Sequence, residues 1–419
     1  METLAQADAQ QLPASPDAMT PGWLNAALAG VEGFDSPIVG LTTTNVGAGR
    51  GFTSDLVRVE LELERPGASP STLIAKFSTG ASHTRDLMKV AYARESTFYA
   101  RFQADAPVRS PRCYFVAYQP EQVRYVLLLE DLGHLDGGDQ IEGTSDARVE
   151  TAVRQLARLH AHFWNHPDLR TALPRAQDDI DFESARELFR EGLGELRRTH
   201  SARYPRFLEI AEVLLGMLSI EGFDPKLLRP GRGDHTLLHG DYRLDNMFFG
   251  DEDGAITFID WVVRAGRGGG DLGYFLFQSL TTEQLHAHGS DLMKLYHRTL
   301  REHGVHRYSL RKVRSDCEMV LAQLVSNQLI PQAAIARARE GRVGTHEPVE
   351  GDGPEALRAR VEALLATVVD NDRAVPLFET LAERLEAALE VHPRVIWRVR
   401  MAVLLIRAQI LWRRMLGRR

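Results

Sequence analysis

The chain has 419 residues, 44% of them hydrophobic, enough to bury a large core in two or three domains or in one two-lobed enzyme. A formal net charge of -7 argues against general nucleic-acid binding, which draws on a basic face, and two cysteines far apart in sequence, Cys113 and Cys317, suggest neither a disulfide framework nor a structural zinc site. The first residues lack the basic start and apolar run of a secretory signal, and no uncharged apolar run reaches the roughly 18 residues that would span a bilayer, so a cytoplasmic protein is expected.

In chain order, residues 1–19 read as disordered, and Thr20 then caps a short amphipathic helix with Pro21 at its first position. From Ile38 the pattern is that of a strand. It breaks at the glycine-rich run Gly47-Ala48-Gly49-Arg50-Gly51-Phe52-Thr53 and resumes over Asp55 to Leu63, which alternates polar and apolar residues, so the two runs read as a hairpin. Thr72 to Phe77 is a strand that sets Lys76 among apolar residues, where an unpaired ammonium would be costly. The next helix, Leu87 to Phe102, offers a mate: Met88, Tyr92, Glu95, Tyr99 and Phe102 recur at steps of three and four, which places Glu95 on the stripe facing the core. Arg124 to Leu129 is a buried-type strand that ends at Glu130-Asp131-Leu132-Gly133, and a polar loop runs from Gly133 to Gly143.

From Ala147 the chain reads as largely helical. Val149, Val153, Leu156, Leu159, His160 and Phe163 mark one apolar face, where His160 is expected as a hydrogen-bonded core histidine. The acidic run Asp178, Asp179, Asp181, Glu183, Glu187, Glu191 and Glu195 reads as a solvated helix face, the alternative being an acidic wall that draws a cationic substrate. The chemistry concentrates in Leu237 to Trp261, LLHGDYRLDNMFFGDEDGAITFIDW, which reads as loop, strand, turn, strand. A tight hairpin here would bring Asn246 and Asp260 to one end, and such oxygen ligands suit Mg²⁺ shared with substrate phosphates. Asp241 projects from the loop before them. The glycines of the stretch Arg264 to Gly273 suggest a mobile connector, with Arg264 and Arg267 as surface arginines, the alternative being that they meet phosphate or an anionic acceptor. Residues 394–419 hold eight arginines and no acid among apolar residues. That basic helix is expected to pack on the larger lobe with its arginines in solvent, a contact with an anionic membrane surface being the lesser reading.

His239-Gly240-Asp241 with Asn246, followed by Ile259-Asp260-Trp261, resembles the catalytic segment of the aminoglycoside phosphotransferase and choline kinase-like enzymes, small-molecule relatives of protein kinases. The Leu128-Leu129-Glu130-Asp131-Leu132 wording points to their ecdysteroid kinase-like branch. The resemblance implies an α+β, protein-kinase-like two-lobed fold: residues 20–132 as a small lobe of antiparallel sheet plus one helix, and residues 133–419 as a mostly helical lobe. It implies ATP and Mg²⁺ as cofactors, with Gly49, Gly51 and Phe52 over the phosphates, Lys76 on the phosphates and braced by Glu95, and Glu130 and Leu132 at the adenine edge. Asn246 and Asp260 would hold the metal, and Asp241 would act on an acceptor hydroxyl. By the same resemblance, Asp271 would hold the catalytic loop through its backbone. The acceptor is expected to be a small hydrophobic alcohol or hydroxyacyl compound, the alternatives being an aminoglycoside or other antibiotic, a choline-like alcohol, or a catalytically silent nucleotide-binding regulator. Oligomeric state is left open.

Overall fold

The structure is a computed structural model that describes residues 12–46, 54–65, 67, 70–79, 88–173, 182–221, 234–250, 255–340 and 374–416. The chain divides into two compact units. One joins Met1–Gly138, Pro167–Ala176 and Asn246–Arg264, and the other joins Asp139–His166, Gln177–Asp245 and Ala265–Arg419.

The first unit is built on five antiparallel strands: β1 (Ile38–Asn45), β2 (Ser54–Leu63), β3 (Thr72–Ser78), β4 (Cys113–Gln119) and β5 (Arg124–Leu129), in the order β1-β2-β3-β5-β4. The alternation read in β2 turns Val57, Val59 and Leu61 inward, where they meet Leu73, Ala75 and Phe77 of β3 in one core cluster. Ahead of the sheet lies α1 (Pro21–Ala27), capped by Thr20, whose hydroxyl accepts from the Trp23 amide at 3.2 Å. Within the stretch expected to be disordered, Leu12 and Met19 are buried in the same cluster, and the Leu12 carbonyl accepts from Arg124 at 3.3 Å. Those two apolar side chains and that hydrogen bond tie residues 12–19 to the sheet.

The helix α2 (Lys89–Thr97) runs on into a wider π turn over Phe98–Phe102, and Tyr92, Glu95, Tyr99 and Phe102 are buried along it. A small sheet completes the unit. In it β6 (Asp136–Gly137) pairs with β7 (Met247–Phe249), which pairs antiparallel with β8 (Ile256–Phe258), Met247 facing Phe258.

The second unit is largely helical: α3 (Asp146–His162), α4 (Phe182–His200), α5 (Pro205–Leu218), α6 (Gly269–Ser279), α7 (Thr282–Glu302), α8 (Leu310–Arg339), α9 (Ala374–Val391) and α10 (Arg394–Leu416). Ser145, Thr281 and Ser309 cap α3, α7 and α8 through their hydroxyls, and Thr281 with Gln284 forms a complete capping box. The long α8 packs against α4, α5, α6, α7, α9 and α10.

Two expectations fail here for physical reasons. The glycines after Arg267 serve packing, not mobility: Gly269 lies in the first turn of α6, and a Cβ on Gly273 would stand 2.7 Å from the Cys317 carbonyl oxygen of α8. Nor is the end of the acidic run a solvated face, because Glu195 is buried and bonded to Arg198 and Arg339, while Glu191 accepts from Arg337 at 2.6 Å. The basic ends of α4 and α8 supply those partners. Arg267 is paired as well, with Asp316 at 3.0 Å.

Candidate active site

The first unit holds a cation between two carboxylates. Lys76 stands on the central strand β3 opposite Leu127 of β5, an environment that leaves its side chain only 9% exposed. Glu95 reaches it from α2 with both carboxylate oxygens, at 2.8 and 2.9 Å, and Asp260 reaches it at 2.6 Å. Burial alone would lower the Lys76 pKa, but the charges of Asp260 and Glu95 outweigh it and hold the ammonium above its ordinary range. Glu95 is itself fixed by Tyr125 of β5, whose hydroxyl donates to it at 2.6 Å and whose ring stacks on Tyr92. Removing one partner from such a buried pair typically costs about 3–5 kcal/mol, because the other charge is stranded.

Asp260 follows β8 with φ at +58°, a left-handed conformation that a non-glycine residue adopts at a cost of order 1–3 kcal/mol. Its neighbour secures it. Trp261 is fully buried, stacks on Phe98 with ring centroids 3.7 Å apart, and donates its indole N–H to the Phe258 carbonyl at 3.0 Å. Asn246 is buried immediately before β7, and its carbonyl accepts from the Ile259 amide at 3.1 Å, so the hairpin brings residues 246 and 260 to one end as the spacing implied. The turn residues 251–254 lie outside the described residues, as do Gly49, Gly51 and Phe52. Glu130 and Leu132 lie just past β5: the Glu130 carboxylate accepts from Arg109 at 2.8 Å, its amide donates to the Arg112 carbonyl at 2.8 Å, and Leu132 is buried.

In the second unit, Asp241 lies in a loop whose backbone is fastened from α6. Asp271 accepts from the amides of His239 and Gly240 at 2.6 and 3.3 Å, and Gly240 takes φ at +91°, which its missing Cβ permits. Beneath it the fully buried His160 shares a 2.7 Å hydrogen bond with the Tyr296 hydroxyl, in keeping with a core histidine.

The Asp241 carboxylate is held on both oxygens. Tyr274 of α6 donates its hydroxyl to Oδ1 at 2.7 Å, and Arg243 donates Nε to Oδ2 at 3.0 Å. Arg243 in turn is fixed by Gln140 at 2.6 Å and by Asp245 at 3.3 Å. Burial, then the Asp241 charge, pushes the Tyr274 hydroxyl far above its usual pKa and keeps it a donor. Sequence reasoning assigned no role to Tyr125, Tyr274 or Arg243. The alternation of Asp241, Arg243 and Asp245 was a signal for the arginine; the tyrosines left none.

No curated protein sequence matches the chain significantly. Among solved structures it is similar to a choline/ethanolamine kinase family protein from Mesorhizobium loti, at 16% identity and a TM-score of 0.40 over 91% of this chain and 100% of that one. It is also similar to the macrolide 2'-phosphotransferase MphH from Brachybacterium faecium, at 14% identity and a TM-score of 0.42 over 76% of this chain and 96% of that one. Residues 48–306, more than half of the sequence and inclusive of Lys76, Glu95, Asp241, Asn246 and Asp260, match the ecdysteroid kinase-like family, and the chain belongs to it.

Proposed function

We propose that the protein transfers the γ-phosphoryl group of ATP to a hydroxyl of a small hydrophobic alcohol or hydroxyacyl compound. The observation that carries this reading is the Lys76 ammonium, buried and charged between Glu95 and Asp260. A fixed cation of this kind, braced by a helix carboxylate, is what the phosphates of a nucleotide require. Asn246 and Asp260 fit Mg²⁺ by chemistry: both offer hard oxygens, two protein ligands are the usual number when phosphates supply others, and the Asp260 side chain is 45% exposed. Bound there, the ion supplies neutralisation of phosphate charge. The residues do the rest: Lys76 orients phosphate oxygens, and Asp241, steadied by Tyr274 and Arg243, takes the acceptor's hydroxyl proton. The acceptor oxygen bonds to phosphorus as the bond from phosphorus to the ADP oxygen breaks, and ADP leaves. The family's naming for ecdysteroids, which are hydroxylated and largely apolar, supports an apolar alcohol over a polycation.

The test is ADP release from Mg-ATP across a panel of hydroxylated acceptors, with Asp241→Asn beside the parent. One acceptor class is expected to give turnover that the variant loses by roughly 10²–10⁴-fold. Failure of the parent to bind Mg-ATP overturns the reading. Tight binding with no ADP released from any acceptor replaces it with a nucleotide-binding regulator.

A further inference from the structure

We infer that the outward face of α10 docks on an anionic lipid surface, a property separate from phosphoryl transfer. The helix is apolar on two sides. Val395, Ile396, Val399, Val403, Ile406 and Ile410 are buried, where α10 packs on α5 and α8. On the opposite side, Trp397, Leu404 and Leu405 are 62%, 54% and 60% exposed, and with Met401 and Ala408 they form a stripe at spacings of three and four residues. A helix apolar all round belongs in an interior, so a surface helix of this composition has a face that a further apolar phase would cover.

Charge says which phase. Residues 394–419 contain eight arginines and no acid. Arg398 and Arg400 border the stripe and are bonded to Glu318 and Glu209, Arg394 is exposed within its arc, and Arg407 is exposed on the flank between the stripe and the buried face. A second copy of the chain is the poorer occupant, because a two-fold contact sets the same patch against itself and would oppose arginines with no acid of the helix between them. A surface of anionic headgroups over acyl chains accepts both parts: Trp397 and the leucines enter the headgroup boundary, and the arginines pair with phosphates. Among the described residues no helix is long and apolar enough to cross a membrane, so the contact is peripheral.

The test is flotation of the full chain with vesicles of phosphatidylcholine alone and of phosphatidylcholine mixed with phosphatidylglycerol, without nucleotide or acceptor. Binding is expected to rise with the anionic lipid, to fall with added salt, and to drop about tenfold in both Leu404→Glu and Arg407→Glu. Both side chains are exposed, so the variants should keep the parent's melting temperature and circular dichroism. Equal binding to neutral and anionic vesicles, no binding to either, or binding unchanged in the two variants overturns the inference. A dimer in analytical ultracentrifugation that Leu404→Glu dissolves, with no vesicle binding by the parent, assigns the face to a second copy instead.

Discussion

At Asp241 the two oxygens do not answer to the same neighbour. Arg243 comes from the same loop, whereas the Tyr274 hydroxyl arrives from α6, 33 residues along the chain. A hydrogen bond to a charged group contributes about 1.5–3 kcal/mol, so Tyr274→Phe is expected to lower kcat by about ten- to a hundredfold while leaving the nucleotide KM unchanged. An unaltered kcat would reduce Tyr274 to a packing residue. Lys76 and Glu95 were legible in the sequence for the reason that makes Tyr274 illegible. A lysine inside an apolar strand and a glutamate on an apolar stripe are anomalies, and each anomaly implies the other. A tyrosine in a strand or helix that is otherwise core looks like more core, and only the fold reveals what its hydroxyl meets. Tyr125 is the second such case, its partner Glu95 lying 30 residues away.

At the scale of elements, the alternation of β2 and the stripe from Tyr92 to Phe102 could be read from periodicity, and the pairing of β7 with β8 from the turn residues between them in the sequence. Close approach between helices could not, because the sequence records only that a residue is small. Gly192 on α4 is such a place: a Cβ there would stand 2.1 Å from the Leu329 carbonyl oxygen on α8. Helix propensity favours alanine over glycine by about 1 kcal/mol, yet the obstructing atom is backbone, and forcing two packed helices apart typically costs about 1–3 kcal/mol. The clash should win. Gly192→Ala is expected to destabilise the chain in urea unfolding, and a variant more stable than the parent would mean that the two helices part freely. The same blindness to partners misread Glu195, which is bonded to Arg339, far along the sequence, as well as to the nearby Arg198.

For the molecule as a whole, net charge and length say nothing of how acid and base are distributed. Asp131 is held below the ordinary carboxylate range: burial raises it, but the hydrogen bond and charge of Arg58 and the Gly133 amide prevail. Glu195 is lowered as well, first by its hydrogen bond to Arg198. A carboxylate whose folded pKa lies below its unfolded one adds stability above the unfolded value and loses it as pH falls through the folded value. The urea midpoint should therefore stay level through neutral pH and fall below about pH 4, less steeply in Asp131→Asn than in the parent. Equal slopes in the two would deny Asp131 that part. The first unit, finally, is assembled from three separated stretches, the last being Asn246–Arg264. During synthesis, Lys76 and Glu95 therefore emerge long before Asp260 and Trp261, by on the order of ten seconds at ordinary elongation rates. Until then the sheet lacks its third charge and the Phe98 ring its stacking partner, so that unit is completed only after part of the second unit has been made, although most of it is made first.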